Sequence, residues 1–172
     1  MVPHDGSARR FHTKVRPALV SDADAMWRIF QAVVAGGDTY VFAPDTGRDV
    51  AIDYFMGPEI SSWVAEIEGQ VMGMYKLIAN GRDLGSHVSN ASFMVDPAAQ
   101  GKGVGKALGE HCLAQARQAG YQAMQFNFVV STNTAGVELW KKLGFTIVGT
   151  LPKAFNHSRL GLVDAYVMHR FL

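Results

Sequence analysis

The sequence predicts an α/β fold: one mostly antiparallel central sheet of about seven strands, flanked by about four helices. Three observations support it. A chain of 172 residues, 48% of them hydrophobic, has the length of one domain and enough apolar material for one core. Residues 14–172 contain no linker, and residues 1–13 are expected to be a disordered lead-in. The predicted order is strand, two helices, three strands, helix, strand, helix and two strands, typical of a mixed α/β domain.

Start and stop signals delimit the first two helices. Ser21–Asp24 resembles a capping box. Apolar residues follow it at helical spacing as far as Val34, and Gly36 ends the helix. A second short helix is predicted near Asp49–Met56, and it ends there because Pro58 blocks its continuation.

Runs of β-branched and alternating apolar residues predict seven strands. The turn Glu68–Gln70 contains a glycine and predicts a hairpin between the second and third strands. Because a strand–helix–strand crossover returns beside its first strand, the order over residues 88–130 predicts one parallel pair. A loop over Pro152–Gly161 is predicted to join the last two strands. The predicted strands are Lys14–Leu19, Ser62–Ile67, Val71–Ile78, His87–Val95, Met124–Val130, Thr146–Leu151 and Leu162–Arg170.

Two later helices are predicted between these strands. The first runs from about Gly103 to Ala119 and ends at Gly120. Cys112 lies on its apolar side, where we interpret it as a small hydrophobic residue rather than a nucleophile. The second covers Asn133–Leu143 and has two lysines in its last turn, where cations suit the helix dipole.

Composition and charge exclude several classes of protein. Lys and Arg number 16 and Asp and Glu 15, for a net charge of +1, whereas a general nucleic-acid binder carries a basic surplus. No apolar run approaches the ~18 residues of a membrane span. A single cysteine excludes an internal disulfide and a Cys-rich zinc site, and the histidines lack paired metal-ligand spacing. We therefore expect a cytoplasmic protein with no metal, no nucleic-acid partner and no membrane partner.

One glycine-rich turn carries the strongest chemical signal. After the predicted strand ends at Val95, glycine occupies positions 101, 103 and 105, and a helix begins. Free N–H groups at such a helix start bind anions, helped by the positive end of the helix dipole. Glycine keeps side chains away from approaching phosphate oxygens, and Lys102 and Lys106 add positive charge. The turn predicts a phosphate site; a flexible turn without a ligand is the alternative.

Two common phosphate-binding patterns do not fit this turn. The P-loop requires Ser or Thr where Ala107 stands. The dinucleotide fingerprint requires glycine where Lys106 or Leu108 stands, depending on which glycine starts the count. A magnesium-bound triphosphate and a nicotinamide cofactor are therefore both disfavoured.

The turn resembles a family signature. Gln100–Gly105 is similar to the Q/R-x-x-G-x-G/A motif of the GNAT N-acetyltransferase superfamily, which binds the pyrophosphate of acetyl-CoA. Asn133–Ala135 and Leu139–Phe145 resemble that family's N-x-x-A…LYEKLGF stretch, and the predicted order of elements is also the GNAT order. The resemblance covers residues 14–172 and implies acetyl-CoA as co-substrate. A narrower similarity to phosphinothricin and amino-acid N-acetyltransferases rests on Leu151–Phe155 and Val163-Asp164.

The resemblance assigns residues to the cofactor. The main chain at the end of the fourth predicted strand would hydrogen-bond the pantetheine arm. The amides of the turn would hold the pyrophosphate, and Asn133 would hydrogen-bond the cofactor arm. Asn133 is equally suited to be a plain helix N-cap. The implied cofactor-binding residues are Met94, Val95, Gln100, Gly101, Lys102, Gly103, Val104, Gly105, Lys106 and Asn133.

Trp140 departs from the family pattern. Many relatives have a tyrosine here that protonates the departing thiolate, whereas an indole N–H cannot serve as an acid near neutral pH. Loss of a general acid costs about 3–5 kcal/mol. We expect the low end of that range, because a thiol of pKa ~8.5 leaves tolerably well as the anion. The alternative role of Trp140 is core packing.

The expected reaction is direct attack of a neutral amine on the thioester carbonyl, with a backbone N–H near Met94 stabilising the oxyanion. Deprotonation at pH 7 costs about 4.6 kcal/mol for a lysine amine and roughly 1.4 kcal/mol for an α-amine. A site without a conspicuous base therefore favours an α-amine. Glu66 and Asp164 are the candidate bases, beside His87 and His157; ordinary surface polarity and a water chain are the alternatives.

Aromatic loop residues are the candidates for binding the acceptor, since loops on a rigid scaffold carry specificity. They are Tyr40 and Phe42 in the loop between the first helices, and Phe155 and His157 near the end. The expected acceptor is a small-molecule amine, such as an amino acid or analogue. A peptide or protein amine, a catalytically silent acyl-CoA-binding module and a bare structural domain remain alternatives, and a second copy of the chain, as a homodimer, remains an open partner.

Overall fold

The computed structural model describes residues 12–172, so residues 1–11 of the predicted lead-in lie outside the described residues. The described chain has four α-helices and one sheet of seven strands, which confirms the predicted fold class. In chain order the elements are β1 (Thr13–Pro17), α1 (Ala23–Ala35), α2 (Arg48–Met56), β2 (Ser61–Ile67), β3 (Gln70–Ala79), β4 (Val88–Val95), α3 (Val104–Gln118), β5 (Ala123–Val130), α4 (Thr134–Lys142), β6 (Thr146–His157) and β7 (Gly161–Phe171).

The sheet has the strand order β1-β2-β3-β4-β5-β7-β6. Every neighbouring pair is antiparallel except β4 and β5, which are parallel as the crossover rule predicted. These two strands pair only over Val88↔Ala123 and Ser89↔Met124, and then diverge. The divergence leaves a gap, here called the β4–β5 gap, in the middle of the sheet.

The sheet separates two apolar layers. On one side, Phe30 of α1 and Phe55 of α2 form an apolar cluster with Met74 of β3; on the other, Leu108 and Cys112 of α3 form one with Tyr75 of β3. Cys112 is fully buried, and burial raises the pKa of its thiol well above the ordinary value, so it packs as the predicted small hydrophobic residue. Side chains of opposite sheet faces therefore belong to different environments.

Gly73 brings the start of α3 onto the sheet. A Cβ atom at this position would lie 2.7 Å from Cγ1 of Val104 and 3.0 Å from Cδ1 of Leu108, both in the first turns of α3. No larger residue fits without displacing the helix. The N-terminus of α3 is thereby fixed beside the carboxyl end of β4.

Two details of the prediction are wrong. The capping box at Ser21–Asp24 does not form: Asp22 precedes α1 instead, and its carboxylate accepts from the Leu19 amide at 2.7 Å. The expected loop over Pro152–Gly161 belongs mostly to β6, which continues to His157. Because β6 is an edge strand, a proline costs it little, and a register shift between Leu151 and Phe155 absorbs the irregular stretch.

Candidate active site

The turn after β4 is anchored by Asp96. One carboxylate oxygen accepts from the Ala98 amide at 2.9 Å, and the other is bonded by the Arg28 guanidinium of α1. Arg28 also donates to the Val71 carbonyl on β3, at 2.9 Å. Asp96 itself is buried. The direction in which the chain leaves β4 is thus fixed from both α1 and β3.

The glycine-rich turn needs glycine for its backbone conformation. Gly101 has φ of +75° and Gly103 has φ of +80°, a left-handed region that costs other residues about 1–2 kcal/mol. A Cβ at either position would meet no atom within 4 Å. Both positions therefore combine an unusual backbone conformation with open space beside the main chain.

The start of α3 presents unpaired amides. Its first intrahelical bond runs from the Ala107 amide to the Gly103 carbonyl, at 3.0 Å. The amides of Val104, Gly105 and Lys106 precede that bond and have no acceptor within the helix. These three N–H groups lie at the positive end of a helix of 15 residues.

Two amides of the predicted phosphate site are used inside the turn. The Gln100 amide donates to the Pro97 carbonyl at 3.3 Å, and the Lys102 amide to the Ala99 carbonyl at 3.2 Å. Of the amides from Gln100 to Gly105 that were expected to bind phosphate, those of Gln100 and Lys102 are therefore already bonded within the turn. The available donors are shifted toward the helix.

One edge of β4 lines the gap. The Asp96 amide donates to Met72 at 2.8 Å, and the Val88 carbonyl accepts from Asn80 at 2.7 Å, so even-numbered residues of β4 face β3. By alternation, the main chain of Met94 faces β3, while that of Phe93 and Val95 faces the gap. The main chain of Met94 is therefore directed at β3, and a cofactor contact from β4 stays a prediction, carried by Val95.

The gap is closed at one end, and further along an aromatic side chain of α4 contacts both strands. The Ser89 hydroxyl bonds the Ala123 carbonyl at 2.9 Å where the strands still pair. Further along, the Trp140 ring of α4 lies 4.8 Å, centroid to centroid, from both Phe93 on β4 and Phe126 on β5. Trp140 thus packs against side chains of both strands, as in its predicted alternative role in the core.

Asn133 and Lys106 have local partners. The Asn133 side chain accepts from the Gly136 amide at 3.2 Å and so caps α4. Lys106 lies on the exposed side of α3, 3.8 Å from the Glu110 carboxylate. The N-cap role of Asn133 is confirmed, and its contact with the cofactor stays a prediction.

The two regions predicted to bind the acceptor, the α1–α2 loop and the β6–β7 hairpin, contact each other. Ser158, in the turn between β6 and β7, donates its amide to the Gly37 carbonyl at 3.0 Å and its hydroxyl to Gly36 at 2.9 Å. From the same α1–α2 loop, the Tyr40 hydroxyl donates to the Phe93 carbonyl at 2.6 Å. Phe42 packs inward among aromatic rings of α1 and α2. The loop and the hairpin thus close together over the gap.

Comparisons with known proteins agree with this geometry. Residues 24–145 match the model of the Acetyltransferase (GNAT) family. The chain belongs to this family. N-acetyltransferase aca1 of Schizosaccharomyces pombe is 30% identical over 148 residues, which cover 76% of this chain and 71% of aca1.

Solved structures confirm the fold. A GCN5-related N-acetyltransferase from Kribbella flavida shares 40% identity, with a TM-score of 0.89 and coverage of 93% of this chain and 98% of that one. A phosphinothricin acetyltransferase from Sinorhizobium meliloti, solved with acetyl-CoA, shares 24% identity with a TM-score of 0.80. The matched region covers 93% of this chain and 88% of that one, and the two chains have the same fold.

Neither predicted base is free in this acetyltransferase. Glu66 accepts from Arg16 at 2.8 Å and 2.5 Å, at the β1–β2 edge of the sheet, away from the gap. Asp164 accepts from the Lys153 amide at 2.9 Å and so supports the irregular part of β6. Both carboxylates have structural partners, and we set them aside as bases.

Phe155 and His157 lie in β6 rather than in a loop, and both are buried. Phe155 packs against Phe128 of β5, with ring centroids 6.2 Å apart. The Nδ1 atom of His157 accepts from the amides of Arg159 and Leu160, at 3.1 Å and 3.3 Å, which closes the β6–β7 turn. The Nδ1 atom of His157 is therefore already in use as an acceptor within the turn.

Sequence reasoning missed a polar cluster beside the gap. Lys76 of β3 is only 6% exposed, and its Nζ lies 3.3 Å from the centroid of the Tyr54 ring. The Tyr54 hydroxyl is 2.7 Å from the Ser92 hydroxyl of β4. Burial lowers the pKa of Lys76 to about 8. A lysine inside the otherwise apolar run Val71–Ile78 was the signal that could have revealed it.

A group of carboxamides lies on the neighbouring ends of β3, β4 and β5. The Asn80 side-chain oxygen accepts from Asn90 at 3.2 Å and from Asn127 at 2.6 Å. Gln125 in turn donates to Asn127 at 2.9 Å. These neutral groups offer hydrogen bonds without charge.

Within residues 12–172, no three His, Cys, Asp or Glu side chains are grouped as metal ligands. None of the helices there has the length and apolar content needed to cross a bilayer.

Proposed function

We propose that this acetyltransferase transfers the acetyl group of acetyl-CoA to the primary amine of a small molecule. The observation that carries the proposal is the set of unpaired amides at Val104, Gly105 and Lys106, next to a gap lined by a main-chain edge of β4 that no strand pairs with beyond Ser89. A diphosphate and an extended amide-containing arm need those two features side by side.

The residues present fit the co-substrate. Open space at Gly101 and Gly103 lets phosphate oxygens approach the main chain, and the three helical amides supply donors. Val95 and Phe93 present main-chain groups to the gap, where an extended arm would add like a strand. When bound, acetyl-CoA supplies an activated acyl thioester.

The chain's own residues supply positioning rather than a strong base. Glu66, Asp164 and His157 have structural partners, so the acceptor proton leaves through water or before binding. This arrangement suits an amine that is partly neutral at pH 7, and deprotonating an α-amine costs roughly 1.4 kcal/mol there. The Phe93 and Val95 amides face the gap, where a developing oxyanion would need a donor.

A small acceptor is favoured by the covering of the gap. The α1–α2 loop and the β6–β7 turn are bonded to each other through Ser158, and Tyr40 spans from that loop to β4. A folded protein surface would have to displace these contacts. A small amine can enter beside them.

Thiol release tests the proposal. The purified chain is incubated with acetyl-CoA, a panel of small amines and a thiol reagent, with amine-free samples as controls. We expect amine-dependent release of CoA with at least one small amine. Cofactor binding without thiol release across the panel would contradict it, as would release only with peptide or protein amines. Binding itself is measured separately, since CoA at 100-fold excess over Kd should stabilise the fold by about 2.7 kcal/mol.

A further inference from the structure

Lys76 is a buried cation without a counter-charge. It is 94% withdrawn from solvent, being 6% exposed. Within residues 12–172 its ammonium has neither an ion-pair nor a hydrogen-bond partner, and its contact is the face of the Tyr54 ring. Buried charges in proteins are normally paired or bound to a ligand. An unmatched one therefore points to a missing anion.

The ammonium can be reached from outside. In the described chain, no fully buried side-chain nitrogen or oxygen lacks a hydrogen-bond partner. Because the Nζ of Lys76 has no such partner, it retains contact with solvent at its tip. The stem is enclosed, while the charged end keeps contact with solvent.

The groups around Lys76 are neutral donors. Ser92 faces it across β4, and Ser62 faces it across β2 with its hydroxyl already donated to the Phe55 carbonyl. The Ser92 hydroxyl is bonded to the Tyr54 hydroxyl, which uses one of the two protons and leaves the other available to a ligand. Burial raises the pKa of Tyr54, so its phenol stays protonated at neutral pH. The surroundings offer hydrogen bonds and no negative charge.

The cluster lies beside the reaction gap. Ser92, the partner of Lys76 across the ladder, directly precedes Phe93, whose carbonyl faces the gap and accepts from Tyr40. Lys76, Ser92 and Tyr54 all lie on the α1–α2 side of the sheet. The glycine turn at the start of α3 lies beyond the carboxyl end of β4, so the cluster adjoins the part of the gap left for the acceptor.

We propose that Lys76 binds a negatively charged group, such as the carboxylate of an amino acid, on the acceptor amine, assisted by the hydroxyls of Tyr54 and Ser92. This rests on the proposed function and specifies its substrate class: a primary amine that also carries an anion. At pH 7 a lysine with a pKa of about 8 is mostly protonated, so it acts as a cation toward the acceptor rather than as the base.

Matched acceptor pairs test this assignment. Each free amino acid of a panel is compared with its own carboxamide, in which the amine is retained and the charge is removed. The amine of the carboxamide has the larger neutral fraction, so chemistry alone favours the carboxamide. We expect wild-type kcat/KM to favour the free amino acid by at least about tenfold, the value of one hydrogen bond to a charged group.

Substitution of the lysine assigns the preference to this residue. Lys76→Met should lower the ratio of kcat/KM for the free amino acid to kcat/KM for its carboxamide at least about tenfold, through a higher KM for the free amino acid. Lys76→Arg should retain most of this ratio. Lys14→Met, an exposed lysine on β1, is the matched control and should keep the ratio. An unchanged ratio in Lys76→Met, with acetyl-CoA binding retained, overturns the proposal. So does a wild type that prefers the carboxamides.

A second measurement does not require turnover. Succinimidyl acetate labels accessible neutral lysines, and the extent of labelling at Lys76 is read by peptide mass spectrometry. A mixture of N-acetylated amino acids should protect Lys76 by at least about threefold, and the corresponding N-acetylated amides should not. Equal labelling in both mixtures overturns the anion site, even if thiol release succeeds. Protection without thiol release would refute the proposed transfer and leave the anion site standing.

Discussion

The two sides of the β4–β5 gap are built in different ways. The cofactor side consists of main-chain groups from one continuous segment, the end of β4, the glycine turn and the start of α3. The acceptor side consists of side chains from separate elements: Tyr54 on α2, Lys76 on β3 and Ser92 on β4. Main-chain recognition depends on backbone shape and tolerates side-chain change. Side-chain recognition is set by single substitutions, so we expect acceptor choice to vary more easily than cofactor use.

The largest effect should follow removal of the ring that contacts both β4 and β5. Trp140→Ala should lower the free energy of unfolding by about 3–5 kcal/mol, because a packed aromatic side chain is replaced by a cavity. The Kd for CoA should rise as well, because Phe93 loses its support at the gap. Denaturant unfolding and calorimetry measure the two quantities.

Trp27 provides the comparison in the other layer. It stacks on Phe30 of α1, with centroids 5.9 Å apart, and Trp27→Ala should lower stability while leaving the Kd for CoA unchanged. If both variants weakened CoA equally at a temperature where both are folded, Trp140 would have no particular role at the gap.

The different construction of the two sides explains what the sequence could predict. The glycine turn lies within six consecutive residues, so its spacing is visible in the sequence and predicts the unpaired amides at the start of α3. Glu66 was misjudged because its partner Arg16 lies 50 residues away. Lys76, Tyr54 and Ser92 were missed because only sheet register and helix packing bring them together. A short segment of sequence therefore predicts local backbone geometry. It does not predict ion pairs and clusters formed by residues from distant elements.

The turn itself is tested by Gly103→Glu. The substitution strains a residue at φ +80° and places a negative charge where a diphosphate is expected, so the Kd for CoA should rise about 100-fold, which is ~2.7 kcal/mol. Gly120→Glu is the matched control, because Gly120 has φ +86° at the other end of α3 and equally open surroundings. It should share the loss of stability and keep CoA binding. Equal Kd values for the two variants would refute the phosphate site.

A smaller effect is expected from the anchor of the turn. Asp96→Asn keeps an oxygen for the Ala98 amide but removes the charge that bonds Arg28. Stability should fall by about 1–3 kcal/mol, as for a buried hydrogen bond to a charged group, and the Kd for CoA should rise about tenfold. Asp24→Asn removes a carboxylate that pairs with Arg48 while 86% exposed, so it should change neither quantity measurably. An Asp96→Asn variant with wild-type CoA affinity would show that the turn keeps its shape without Arg28.

A pH-dependent effect on stability sharpens the contrast from the acceptor side. Burial lowers the pKa of Lys76 to about 8 from an ordinary 10.5, so between these pH values the unfolded chain binds one more proton than the folded one. Unfolding free energy from this group therefore rises with pH across that window, at up to about 1.4 kcal/mol per pH unit, and the penalty is complete below pH 8. Lys76→Met lacks the penalty, so its stability relative to wild type should be greatest below pH 8 and should decline toward pH 10.5. Lys14→Met should show a flat difference over the same range. A flat difference for Lys76→Met as well, in paired urea titrations, would mean that the buried ammonium costs the fold nothing and needs no anion to balance it.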